Sequence, residues 1–262
     1  DVGVYQLGGN PLTLNSAEMQ LGHKESIHDT SKVLSRYVDG ITHRGFSHND
    51  VTELAKYSDV PVINALSNDH HPCQAVADLM TIEEFAPEIN KQKIAWVGDG
   101  NNVLHDLMLA CSSLGHDIAY ACPPEFQPSS KIVTDANSLA EKCGGKVNSA
   151  SSAEEAVSDA TVIYTDVFLS MGQEEDKKKL KAFEDYKVTK ELCEHADNDH
   201  IFLHCLPANR GSEVTNEVID GVHSKVWDQA ENRLHAQKSI MCSLINPNAW
   251  DTYGEIMGVE GW

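Results

Sequence analysis

The sequence predicts an α/β fold of two domains, each a mostly parallel sheet covered by helices. Three observations carry that prediction. From residue 93 to 204, short apolar runs alternate with longer stretches of helical spacing, a rhythm that builds parallel sheets with helices on both faces. Residues 25–86 show the same alternation in a shorter form, and the polar, turn-like Pro87-Glu88-Ile89-Asn90-Lys91 separates the two. At 262 residues the chain can bury a sizeable core in each half.

In order, Val2 to Gly9 reads as the tail of an element and a glycine turn, and Leu12-Thr13-Leu14 as a short strand. Ile27, Val33 and Leu34 give residues 25–37 one apolar helical face. Residues 40–45 form a strand ending at Arg44, a helix follows at 48–57, and 61–66 is a second strand. After the loop Ser67-Asn68-Asp69-His70, Pro72 opens a helix whose apolar spacing runs through Ala77, Leu79 and Met80. His71 and Gln74 thus flank a helix amino terminus, which favours an anion or a polarised carbonyl. The competing reading makes His71 a cap and Gln74 a surface residue.

Lys93 to Val97 is a strand entering the turn Gly98-Asp99-Gly100-Asn101-Asn102. Helices are expected at 103–114, 131–142 and 153–160, and strands at 117–122, 146–148 and 161–165. The glycine turn matches two of the three glycines of a dinucleotide fingerprint, and no acid ends the next strand; its asparagines suit a zwitterionic small molecule better. Asp166, at the end of 161–165, stands where open α/β sheets bind ligands, and with Ser170, Met171 and Gly172 it is placed to hold an amine. As a lone signal it reads equally well as a helix cap. Acids then lysines over 173–179 predict a solvated helix face, with Glu174/Lys178 and Glu175/Lys179 at ion-pair spacing. A strand at 200–203 delivers His204-Cys205-Leu206-Pro207 to the same edge as Asp166, and a long helix carrying Arg233 runs from 230 to Leu244.

With 20 basic against 40 acidic residues the formal charge is −20, which excludes a nucleic-acid partner; an anionic substrate would need the four arginines, 36, 44, 210 and 233, to converge. Seven scattered cysteines show no metal-binding or disulfide spacing and fit a reducing compartment. No apolar run is long enough to span a membrane.

Taken in order, the Arg44 strand end, His71-Pro72-Cys73-Gln74, Gly98-Asp99-Gly100-Asn101-Asn102, Asp166 through Gly172, His204-Cys205-Leu206-Pro207 and Glu231-Asn232-Arg233 resemble the ornithine carbamoyltransferase family. The resemblance implies two Rossmann-like domains: 1–86 for carbamoyl phosphate, 87–229 for ornithine, and 230–262 as an interdomain helix and tail returning to the first. It implies transfer of the carbamoyl group to the δ-amino group of L-ornithine, giving L-citrulline and phosphate, by a homotrimer without metal or organic cofactor. Arg44, His71 and Cys205 would be catalytic. Carbamoyl phosphate would meet Arg44, His71, Gln74, Cys205, Leu206 and Arg233, and ornithine would meet Asn102, Asp166, Ser170 and Met171.

The family's Ser-x-Arg-Thr phosphate motif is not among these residues, and the sequence starts at Asp1. The expectation is an N-terminally incomplete first domain and a weakly active or inactive chain, since each charge-assisted hydrogen bond lost costs about 1.5–3 kcal/mol. Two alternatives stay open: an impaired ligand-binding or regulatory paralogue, and a transferase using a modified ornithine or putrescine. Bacterial cytoplasm, mitochondrial matrix and plastid all suit the cysteines.

Overall fold

A computed structural model describes residues 1–15, 25–87, 91–169 and 177–248, without the side chain of Lys177. Ser170, Met171, Gly172, Glu174 and Glu175 lie outside the described residues. The chain divides into two compact units, Asp1–Cys73 with Arg233–Trp262, and Gln74–Asn232.

The first unit contains α1 (Val2–Gln6), α2 (Ile27–Leu34), β1 (Ile41–Arg44), α3 (His48–Tyr57) and β2 (Val62–Leu66). Serines start α2 and α3: Ser26 Oγ accepts from Asp29 N at 3.1 Å and Ser47 Oγ from Asp50 N at 3.3 Å, so an amide of each first turn is satisfied. β1 and β2 pair in parallel from Ile41↔Val62. Leu12-Thr13-Leu14 forms no strand: pairing, not alternation, makes a strand, and β1 and β2 pair only with each other.

The second unit opens within α4 (Pro72–Phe85) and continues through β3 (Lys93–Val97), α5 (Asn102–Ser113), β4 (Asp117–Ala121), α6 (Ser130–Cys143), β5 (Lys146–Ser149), α7 (Ala153–Val157), β6 (Val162–Thr165), α8 (Lys177–Ala182), α9 (Lys190–Cys193), β7 (Ile201–His204), α10 (Asn216–Ile219) and the start of α11 (Val226–Ile245). Its five strands run in parallel in the order β5-β4-β3-β6-β7. Period-two alternation sends Ile94, Trp96, Tyr164 and Leu203 to one core and Ala95, Val97, Ile163 and Phe202 to the other. Each large side chain buried this way contributes about 1.5–3 kcal/mol.

Some sequence boundaries shift, and α2 stops at Leu34 rather than 37. α7 stops at Val157 rather than 160 because Asp159 adopts a left-handed φ of 54°. α11 begins at Val226, four residues before its expected start. The division between units also falls at Cys73/Gln74 rather than in the turn at 87–91, because Ile82 of α4 belongs to the core built on β3 and β6.

From β3 the chain moves to β4 on one side, then returns to β6 on the other, so the order reverses between β3 and β6. In open α/β sheets the carboxyl ends at such a reversal leave a crevice that binds ligands. Gly100 lies in this crevice's β3 turn, where a Cβ would sit 2.3 Å from Pro128 N and 2.4 Å from the Gln127 carbonyl carbon. The glycine therefore serves close packing of loop 126–128. Gly100→Ala is expected to lower the thermal midpoint by several degrees, measured by differential scanning calorimetry; an unchanged midpoint would show that the loop yields freely.

Candidate functional site

In the second unit, β6 delivers Asp166 to the crevice with only 6% of its surface exposed. Its two oxygens have separate donors: Asn101 Nδ2 at 2.7 Å on Oδ2 and Cys205 Sγ at 3.0 Å on Oδ1. Asn101 is fixed in turn because its Oδ1 accepts from Val103 N and Leu104 N, capping α5. Asp166 is therefore no helix cap among the described residues, and Cys205 is more than core filler. Asn102, the expected ligand contact, occupies the first turn of α5 at intermediate exposure.

Asp166, His204 and Cys205 hold potential metal-ligand atoms within 4.8 Å of one another. Both His204 nitrogens are engaged, however: Nδ1 accepts from Leu206 N at 2.9 Å, and Nε2 faces Glu213 Oε1 at 3.3 Å. The cluster thus presents a carboxylate and a thiol to a ligand and turns its imidazole toward the protein. His204 N also donates to Gln229 Oε1 at 2.9 Å, and Gln229 Nε2 reaches Asp78 Oδ1 at 2.6 Å and the Tyr164 hydroxyl at 2.9 Å. Gln74, expected at a ligand, is 1% exposed and donates to the same Asp78 oxygen at 2.7 Å.

The lysines of α8 are not all on a solvated face. Lys179 is buried, and its Nζ lies 2.7 Å from Asp99 Oδ2 and 5.0 Å from the centre of the Phe126 ring. Burial raises the Asp99 pKa, Lys179 opposes that shift, and the nearby Asp166 charge adds to it. A cation is therefore held against Asp99, the carboxylate whose charge Asp166 feels. Of the arginines, Arg210 is taken by Asp220, at 2.9 Å.

In the first unit, Arg44 ends β1 in an exposed position and His71 is buried before α4. The His71 pKa is pushed down to about 3, first by burial and then by the charges of Arg233 and Arg44, while a bond to the Ala65 carbonyl opposes the shift. A neutral imidazole flanked by two guanidinium charges makes a cationic patch that suits an anion with carbonyl character. Since unfolded histidine titrates near 6.5, acid protonates the unfolded chain first, so stability is expected to fall as pH drops from about 6.5 toward 3. Urea midpoints across this range should show it. His71→Gln should flatten the slope, and an unaltered slope would remove His71 as its source; His43, His116 and His200, also lowered by burial, account for the remainder.

The family model for the aspartate/ornithine carbamoyltransferase carbamoyl-P binding domain matches residues 1–84, and that for the Asp/Orn binding domain matches 90–244. The chain belongs to the aspartate/ornithine carbamoyltransferase family. It is 51% identical over 245 residues to an ornithine carbamoyltransferase of Bacillus anthracis and 53% identical over 246 to one of Thermococcus kodakarensis, covering 94% of this chain and 78% of each relative. The solved ornithine carbamoyltransferase from Pyrococcus furiosus superposes with a TM-score of 0.90 at 50% identity, covering 93% of this chain and 78% of that one. The sequence reads Asn101 only as one of two asparagines suited to a zwitterion and Lys179 only as part of a solvated face, so neither is picked out as a neighbour of the carboxylates in this crevice. Asn101 was distinguishable only by its cap position one residue before the helix, and Lys179 carried no local signal, because its partner lies 80 residues away. Among the described residues no helix is long and apolar enough to cross a membrane.

Proposed function

We propose that the chain is an ornithine carbamoyltransferase in which the second unit's carboxylate–thiol pair receives the ornithine amine and the first unit's cationic patch receives carbamoyl phosphate. The reaction moves the carbamoyl group to the δ-amino nitrogen of L-ornithine and releases L-citrulline and phosphate. The observation that carries the reading is Asp166, buried at the sheet reversal with one oxygen on Asn101 and the other on Cys205. A carboxylate so placed orients the ammonium group and accepts the proton that must leave before the nitrogen attacks, while the Cys205 thiol donates to its Oδ1 and fixes it in place. Arg44 and Arg233 supply positive charge, and the neutral His71 imidazole a ring N–H donor, where the carbonyl oxygen gains negative charge. Asn102, Ser170 and Met171 complete the ornithine contacts, and Gln74 and Leu206 those of carbamoyl phosphate, with 1–86, 87–229 and 230–262 as the functional segments. The assembly is a homotrimer, as the resemblance implies, in a reducing intracellular compartment, which the seven scattered cysteines support.

Citrulline formation from carbamoyl phosphate and L-ornithine tests the reading, with calorimetric titration of ornithine alongside. Product requiring both substrates, matched mole for mole by phosphate, is the expected result. Preference for putrescine or an acylated ornithine would replace the acceptor. Ornithine binding by a folded protein that never yields citrulline would instead make the chain a ligand-binding subunit.

A further inference from the structure

The turn that carries Cys205 is held from behind. β7 points Phe202 into one core and Leu203 into the other, where Cys205 also packs just past the strand, so alternation along β7 turns His204 to the Phe202 side, away from the thiol. His204 is fully buried, as is Glu213. Glu213 Oε1 faces His204 Nε2 at 3.3 Å and also accepts from the backbone amide of Asn209. A carboxylate there requires the ring proton on Nε2, which leaves Nδ1 as a lone pair. That lone pair accepts the Leu206 amide at 2.9 Å. Leu206 has a φ of 54°, a left-handed conformation that a leucine keeps only where its surroundings hold it. Between these two fixed points lies Cys205, whose thiol meets Asp166 at 3.0 Å.

We infer that Glu213 and His204 are positioning residues for carbamoyl transfer: Glu213 sets the tautomer of His204, and His204 Nδ1 holds the Leu206 backbone so that the Cys205 thiol faces Asp166. The inference rests on the reading that Asp166 and Cys205 receive the ornithine amine. Neither Glu213 nor His204 contacts substrate in this arrangement. Their chemistry is transmitted through a backbone amide, and so depends on which end of the imidazole is an acceptor.

Replacement of His204 separates the two ends. His204→Asn keeps an oxygen near the Nδ1 position, whereas His204→Gln places its amide group near Nε2 and leaves the Leu206 amide without its partner. On the full chain, H204N is expected to hold kcat within about threefold of the unsubstituted protein and H204Q to lose about a hundredfold, the cost typical of a reacting group displaced by about 1 Å, with ornithine KM changing less than kcat. Cys205-specific alkylation, read by peptide mass spectrometry across pH, should accelerate in H204Q and not in H204N. Equal kcat values or superimposable alkylation profiles for the two variants would overturn the inference.

Should H204Q fail to fold, long-range proton–nitrogen NMR of the histidine-labelled chain gives the tautomer directly, the His204 signal being the one absent from H204N. An Nε2–H tautomer is required, and an Nδ1–H tautomer would sink the proposal. The alkylation and tautomer readouts need no turnover. Absence of citrulline therefore counts against the proposed function, while the wrong tautomer counts against the relay alone.

Discussion

Asp166→Asn is expected to reduce kcat/KM for ornithine on the order of a thousandfold, about 4 kcal/mol of transition-state stabilisation, while leaving the KM for carbamoyl phosphate nearly unchanged. The substitution keeps shape and removes charge. One amide face must now present hydrogens either to Asn101 Nδ2 or to the Cys205 thiol, each of which donates to the carboxylate in the folded chain. A charge-assisted hydrogen bond to the substrate amine contributes about 1.5–3 kcal/mol, and loss of a proton acceptor costs a further factor of about 10²–10⁴, so the two together reach the expected size. Steady-state kinetics in both substrates check it. A purely structural Asp166 would give a different pattern, with about 1 kcal/mol of stability lost and kinetics largely intact.

Lys179→Met is expected to destabilise the protein by about 3–5 kcal/mol, because it leaves Asp99 buried without its counter-charge. Both side chains are largely enclosed, at 10% and 11% exposure, so solvent screening gives little relief. The pH dependence follows from Asp99, whose pKa burial already raises above the ordinary carboxylate value. An acid with a raised folded-state pKa gains stability as pH falls and it takes up a proton. The cost of Lys179→Met should therefore shrink in acid and be full at neutral pH. Denaturant midpoints at the two pH values, together with the Asp99→Asn/Lys179→Met double variant, test this. The double variant should recover most of the loss at neutral pH, and a loss equal to that of Lys179→Met alone would show that the lysine stem, not its charge, matters.

Lys179 also shows where sequence reading stops. Its neighbours 177–181 are lysine-rich, and local charge order in such a stretch describes a helix end facing water. The burial of one of these side chains is a property of the fold, in which Phe126 and Asp99 converge from distant positions on its Nζ beside the local Phe183. Ser170 and Met171, read as acceptor contacts, stay a matter of sequence resemblance. The candidate site was legible in Asp166 and Cys205 because each ends a short apolar run, and a parallel sheet gathers strand ends at one edge.

By itself the sequence determined the five strands of the second unit and the longer helices between them, though not the short α9 and α10, since strand alternation, helical spacing and glycine turns act within a few residues of one another. It also determined the family, through six short motifs in order. Only the tertiary structure decided that Asn101 grips Asp166, that α4 packs into the core of the second unit, and that Glu213 stands behind His204. Those choices depend on side-chain direction and on partners far apart in the chain, 65 residues for Asn101 and Asp166, and chain pattern encodes neither until the sheet has formed.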